Sequence, residues 1–462
     1  MNMPWEMEKE LESIHFQDLQ LMVTVFLSLN NLGYNVNGEK RILVMIILGC
    51  RTKGFAFRPP KNSWFLIGLI KRLLPLILRL RLKVVAVDVR EGDIRNLIKL
   101  KAQRVILTPS HSGGFESCIL FHLSTLLGEE FNYIACKELF EPSPVAWLLQ
   151  RLGVYSIVRG TPDRDSFRMT RQLLVEGKRW LVIFPEGEVC WHNDTVMPFH
   201  QGVAQLAFWA YEDIAKQGVL PSLHLVPTAI KYVYLYDMRR EIASSLLRLE
   251  RKLFLPPQTL TLYDRLRRVG EMVLTANERG YNVRPREGAS LEERIQHIKE
   301  LIISHAAMVL SVSLRPEQPL LDRIRTLLNA VDHIIYSEPE GTDYERQLHH
   351  HRQQEAQTLY DELYRVLRFI ALHDGYVRER LTAERFLDVL GLLELEVFGH
   401  RRICGPRKAI LKIGSPLNLM DYLSHYRTDK QSALQEVTIS LESSVRQMLT
   451  GLSRLTVPIE RV

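Results

Sequence analysis

The chain has 462 residues, room for up to about three domains at ~150 residues each, and its 46% hydrophobic and 24% charged residues are the balance of a folded protein, which excludes wholesale disorder. Sixty Lys and Arg against 53 Asp and Glu leave a net charge of +7, which favours anionic partners such as phosphate, acidic lipid or nucleic acid without choosing among them. The five cysteines (Cys50, Cys118, Cys136, Cys190 and Cys404) are scattered and never spaced as C-x-x-C, which argues against a disulfide framework or a zinc site and fits a reducing compartment.

Residues 1–15 place Glu6, Glu8, Lys9, Glu10 and Glu12 ahead of any apolar run, the wrong order for a secretory signal. The apolar pieces 19–29 and 42–48 are too short to cross a bilayer. The stretch 64–82 is long enough, but Lys71, Arg72, Arg79, Arg81 and Pro75 interrupt it. On a helix Arg72 and Arg79 share a face, and the opposite face is Trp, Phe, Leu and Ile. That pattern suits a helix lying in the membrane plane, and equally one packed on its own domain with the basic face in water. Residues 51–104 carry 14 Lys and Arg against 3 Asp and Glu, a local excess that agrees with a membrane surface.

From 83 to 235 short apolar runs alternate with helical patterns, which predicts an α/β fold. Strands are expected at 83–88, 104–108, 132–136, 155–158, 180–184 and 224–229, with helices near 91–101, 114–127, 143–152, 163–177 and 200–217. The 163–177 helix has Asp163 and Asp165 at its start and Gly177 as its stop. Residues 236–404 turn to Leu, Arg, Glu and His at helical spacing and predict five or six helices. A further strand at 409–413, closed by Gly414-Ser415-Pro416, and two more helices follow. The expected organisation is an N-terminal, membrane-facing helical segment (1–82), an α/β core with a mixed sheet and flanking helices (83–235), a large all-helical insertion (236–404), and a last core strand with C-terminal helices (405–462).

Several chemistries are excluded by their missing motifs. There is no G-x-G-x-x-G, no G-x-S-x-G, no P-loop Lys-Ser/Thr after a correctly spaced glycine pair, and no H-E-x-x-H. The run His349-His350-His351 cannot converge on one metal ion, because consecutive helix positions diverge by about 100°.

Residues 107–117 read L-T-P-S-H-S-G-G-F-E-S. A strand ends, His111 sits in the turn, two glycines follow, and Glu116 opens a helix. The carboxyl end of a strand is where α/β sheets place ligands. A carboxylate in the first helical turn can fold back onto one imidazole nitrogen, fixing the tautomer and leaving the other nitrogen as a base. Alone, this pattern reads more readily as a polar loop histidine and a helix-dipole acid.

Four further blocks follow in order: N-Y-I-A-C-K-E-L-F at 132–140, G-V-Y-S-I-V-R-G at 153–160, L-V-I-F-P-E-G-E at 181–188 and V-P-T-A-I at 226–230. With the His111 block, the series resembles the glycerolipid acyltransferase family, the 1-acyl-glycerol-3-phosphate acyltransferase-like enzymes. The resemblance runs over 83–235 and resumes in L-K-I-G-S-P at 411–416. It implies transfer of a fatty acyl group from acyl-CoA or acyl carrier protein to a lysophospholipid hydroxyl, most directly 1-acyl-glycerol-3-phosphate giving phosphatidate. The implied catalytic residues are His111 as general base and Glu116 as its orienter. Implied substrate-binding residues are Lys137, Arg159, Phe184, Pro185, Glu186 and Gly187, with Arg159 and Lys137 as the phosphate cations and Glu186 a possible acceptor from the glycerol hydroxyl. From the residues alone, Lys137 reads equally well as a solvated lysine.

A thioester is already activated, so the resemblance implies no cofactor, no metal and no covalent intermediate. The implied partners are the acyl thioester, the lysolipid and a membrane surface, not nucleic acid, and the implied location is membrane-associated, peripheral or monotopic, on the cytoplasmic face. Two departures stand out: Glu116 replaces the family's Asp, and Glu188 follows F-P-E-G where the family has a small polar residue. They leave open a different acceptor, or a catalytically silent lipid-binding or scaffolding relative.

Overall fold

The computed structural model describes residues 57–140, 143–159, 163–189, 191–218, 222–284, 287–337, 342–369 and 376–459. The readings for 1–15, 19–29 and 42–48, and Cys50 and Cys190, lie outside the described residues. Helix α1 (Trp64–Arg81) leads into β1 (Val84–Val89), α2 (Glu91–Ile98), β2 (Arg104–Pro109), α3 (Glu116–Leu127) and β3 (Phe131–Cys136). Then come α4 (Ser143–Arg151), β4 (Val154–Ile157), α5 (Arg164–Glu176), β5 (Trp180–Val182), α6 (Gly202–Ala215) and the long β6 (Leu223–Tyr234).

The sheet order is β1-β7-β6-β2-β5-β3-β4, where β7 is Arg407–Ile413, and β8 (Leu417–Asn418) pairs with β6. Strands β6, β2, β5, β3 and β4 run parallel, while β7 is antiparallel to β6 and carries β1 parallel to itself. The result is the mixed sheet with flanking helices that the sequence predicts. Strand β2 is central and buried from Val105 to Pro109, which is why it reads as a continuous apolar run rather than an alternation. One sheet face is covered by α1, α3 and α4 through Leu74, Ile119 and Val145. The other is covered by α5, α6 and α14 (Lys430–Ser453) through Leu174, Ala207 and Val437.

Local signals explain the helix ends near the site. The Asp163 side chain accepts from the Ser166 amide, capping α5, and its other oxygen accepts from Val158 N–H at the end of β4. Gly177 ends the helix at φ +61°, a left-handed conformation that costs glycine nothing.

Helix α1 divides its surface in a way the two-sided sequence pattern left open. Leu66, Ile67, Ile70, Leu74 and Leu78, the side opposite Arg72 and Arg79, are buried in the core. A second apolar stripe of Leu73, Leu76 and Leu80 remains exposed beside those arginines. No helix among the described residues is long and apolar enough to cross a membrane.

Between β6 and β7 the described residues form α7 (Arg239–Lys252), α8 (Leu262–Gly280), α9 (Leu291–Val309), α10 (Leu320–Tyr336), α11 (Asp343–Arg368), the short α12 (Tyr376–Glu379) and α13 (Ala383–Phe398). These helices bury two cores of their own, one around Ile302, Leu327 and Leu363 and one around Ile242, Val269 and Phe386. The second is anchored to the sheet by a polar seam. Asp194 pairs with Lys231 of β6 and with Arg385 of α13, and Asp388 accepts from the Asn193 amide. Asn193 in turn bonds both backbone groups of Tyr232. The segment 191–194 is therefore a buried clasp between sheet and helices.

Candidate active site

The loop after β2 is built by its own hydrogen bonds. Ser110 N–H donates to Thr228 O, and Ser110 Oγ accepts from Ile230 N–H, tying the start of the loop to β6. Gly114 sits at φ +81°, where a side chain would be strained. At Gly113 a Cβ would lie 3.1 Å from Glu116 Oε1, so the glycine leaves room for the carboxylate to fold back.

Glu116, fully buried at the first residue of α3, faces His111 with Oε2 at 2.9 Å from Nδ1. Oε2 also accepts from Gly114 N–H at 2.9 Å, and Oε1 accepts from Gly113 N–H at 2.7 Å, Ser112 Oγ at 3.3 Å and Tyr232 Oη at 3.2 Å. Glutamate's extra methylene relative to aspartate lets the side chain reach across the loop amides to the imidazole. Burial works to raise the Glu116 pKa, but the His111 hydrogen bond and charge, with the loop amides, hold it below the ordinary carboxylate value. An ionised Glu116 accepts the Nδ1 proton, so Nε2 is the basic nitrogen. The Phe184 ring stacks on the imidazole, centroids 4.2 Å apart.

The F-P-E-G block works mostly from behind. Glu186 is completely enclosed, and its two oxygens accept from His111 N–H at 2.6 Å and Met197 N–H at 2.7 Å. Burial pushes its pKa up to about 7 despite those two amides. The reading of Glu186 as an acceptor from a substrate hydroxyl is corrected here: its carboxylate is turned inward and fastens the His111 backbone. Pro185 O accepts from His200 N–H, and Gly187 turns the chain at φ +77°, where a Cβ would meet the His200 ring at 2.8 Å.

Arg159, just past β4, is drawn toward the helical region. Its guanidinium donates to Tyr364 Oη at 2.5 Å and Tyr360 Oη at 2.9 Å, both on α11, and lies 3.7 Å from Glu138. Lys137 is buried with Nζ 3.3 Å from the centre of the Tyr336 ring of α10. Tyr336 Oη donates to Glu138 at 2.6 Å. Arg325 of α10 donates to the carbonyls of Glu186 and Pro198 and lies 3.8 Å from Glu188. Burial would raise the Glu188 pKa, but His200, Arg325 and Arg159 hold it low. Asp332, 3% exposed and with Oδ1 unpartnered, is pushed up to about 7 by burial, with Glu138 and Glu188 adding to the rise and Arg159 opposing it.

The structure thus gathers His111, Glu116, Phe184 and Glu186 in one cluster, and Lys137 and Arg159 in a second beneath α10 and α11. Sequence reasoning missed Tyr232, Arg325, Asp332, Tyr336, Tyr360 and Tyr364. Only Tyr232 had a local signal, five residues past Pro227 on the same strand. Among the described residues no group of His, Cys, Asp and Glu could hold a metal ion. His349 instead points Nε2 at Ser337 O at 3.0 Å.

Compared with known protein families, residues 91–231 match the model described as Acyltransferase. The match contains both clusters' core residues and ends at Lys231, before the helical region begins. No curated protein matches the chain significantly.

Proposed function

We propose that residues 91–231, which match the family model described as Acyltransferase, form a domain of the glycerolipid acyltransferase family, and that the protein transfers a fatty acyl group from an acyl thioester to a lysophospholipid hydroxyl. The acceptor we propose first is 1-acyl-glycerol-3-phosphate, giving phosphatidate. The observation that carries this reading is the 2.9 Å contact between His111 Nδ1 and a fully enclosed Glu116. His111 Nε2 takes the hydroxyl proton as the oxygen attacks the thioester carbonyl. The C–S bond then breaks, and the departing thiolate receives the proton. Glu116 stabilises the imidazolium between the two events, and Glu186 holds the His111 backbone in place.

Lys137, Arg159 and Arg325 are the cations available to a phosphate near this end of the sheet. We place the site at a membrane surface, on the cytoplasmic face: the exposed Leu73, Leu76 and Leu80 beside Arg72 and Arg79 support an in-plane contact with anionic lipid. A second reading, a lysolipid without a phosphomonoester, is favoured by one specific feature. Glu138, Glu188 and Asp332 surround the cations, and Arg159 already donates to two tyrosines.

The test is transfer of labelled palmitoyl from CoA and from carrier-protein thioesters to lysophosphatidate, by wild type and His111→Ala. Transfer that disappears in the variant supports the chemistry. Transfer only to other lysolipids moves the acceptor to the second reading, and a folded wild type inactive on a broad panel of acceptors leaves a lipid-binding scaffold.

A further inference from the structure

The helical region forms a half-open cavity of about 180 Å³ that shares no residue with the His111 or Arg159 clusters. Its walls come from α8, α9, α11 and α13 and include Leu266, Val273, Ile298, Ile302, Val366 and Leu393. An apolar cavity of ~150 Å³ already admits benzene. A hydrocarbon segment is therefore the chemistry the walls accept.

The cavity also holds a charge. Lys299 of α9 lines it, is 3% exposed, and makes no hydrogen bond or ion pair among the described residues. Burial lowers its pKa, with only the distant charge of Glu292 opposing. The other lining cations are engaged: Arg267 with Glu271, and Arg365 with Glu396 at 2.9 Å and Tyr281 Oη at 3.2 Å. An ammonium held against the apolar wall of a cavity is met better by an anion than by hydrocarbon alone. A third feature concerns space. Gly270, inside α8, lines the same cavity, and a Cβ built there would meet nothing within 4 Å. Glycine in mid-helix costs about 1 kcal/mol relative to alanine, and here it keeps the cavity open.

We propose that this cavity binds a single-chain amphiphile with a carboxylate head, a free fatty acid, its tail between α8, α9 and α13 and its carboxylate on Lys299. The site is separate from the acyl-transfer centre. It shares helix α11 with it, since Tyr360 and Tyr364 hold Arg159 while Val366 lines the cavity.

The test is calorimetric titration of the full chain with decanoate and with decanol, below their aggregation concentrations. Wild type should bind both, decanoate more tightly. Lys299→Met removes the charge with little change in volume and should weaken decanoate about tenfold or more while sparing decanol. Gly270→Leu fills the space without a backbone clash, should melt no lower than wild type, and should abolish both signals. No binding by folded wild type overturns the proposal, and so does decanoate binding that is unchanged in Gly270→Leu. These outcomes do not depend on whether the protein proves to transfer acyl groups.

Discussion

Replacing Glu116 by glutamine changes one atom of the site and reverses a hydrogen bond. The five donors converging on the carboxylate divide as three on Oε1 (Gly113 N–H, Ser112 Oγ, Tyr232 Oη) and two on Oε2 (His111 Nδ1, Gly114 N–H). A glutamine amide must present an NH₂ to one set. Facing Oε1's three donors is the worse choice, so the NH₂ takes the Oε2 position and donates to Nδ1. The imidazole proton then moves to Nε2, and the base is lost. A wrong tautomer in a comparable histidine–carboxylate pair costs about 10⁴ in kcat, and loss of general-base catalysis on its own costs about 10²–10⁴.

We expect Glu116→Gln to lower kcat by at least about a hundredfold with KM nearly unchanged. Its stability should fall by about 1–3 kcal/mol for the Gly114 amide left without an acceptor. Glu116→Ala orphans both loop amides and should lose about twice that. Glu116→Asp keeps the charge but cannot span the same gap, and should retain part of the turnover. The assay is steady-state acyl transfer at saturating thioester, with urea melts on the same preparations. A Glu116→Gln enzyme that melts like wild type and turns over at the wild-type rate refutes the orienting role.

Three other outcomes follow from the same structure. Asp332 has a folded-state pKa of about 7 against an ordinary 3.8, so it favours the fold when protonated and that contribution is lost as pH rises from about 4 through about 7. Asp332→Asn should therefore remove up to ~2.5 kcal/mol of the wild type's stability loss between about pH 5 and about pH 8 in paired urea melts, and an unchanged pH slope would show that burial does not perturb this group. Changing Leu73, Leu76 and Leu80 together to serine should cut co-sedimentation with anionic liposomes severalfold while far-UV circular dichroism stays the same, because all three are exposed; undiminished binding would mean the stripe does not meet lipid. Tyr360→Phe combined with Tyr364→Phe leaves two Arg159 N–H groups without acceptors, so KM for lysophosphatidate should fall by about threefold or more; an unaltered KM would separate Arg159 from the phosphate.

The strands and the His111 loop were legible in the sequence because their signals are local. β2 has the apolar run Val105-Ile106-Leu107 at its centre, α5 carries its cap and its stop at its own two ends, and His111 and Glu116 lie five positions apart across a two-glycine turn. Hydrophobic period and turn chemistry act over such distances, so a linear reading reaches them. Even the side of α1 that meets the core, Leu66 to Leu78, follows the helical period.

The inward turn of Glu186 had no such signal, because the amides of His111 and Met197 that capture it come from two separate loops. Arg159 meets Tyr360 and Tyr364 across more than 200 residues of chain, and which helix face covers it depends on how two cores of the helical region dock on the sheet. The reversed β7 and β1 are likewise set by where the chain returns after that region, not by their own residues. Local chemistry wrote the strands and the base. Long-range packing of otherwise ordinary amphipathic helices decided what surrounds the cations, and left Lys299 and Gly270 facing a common cavity.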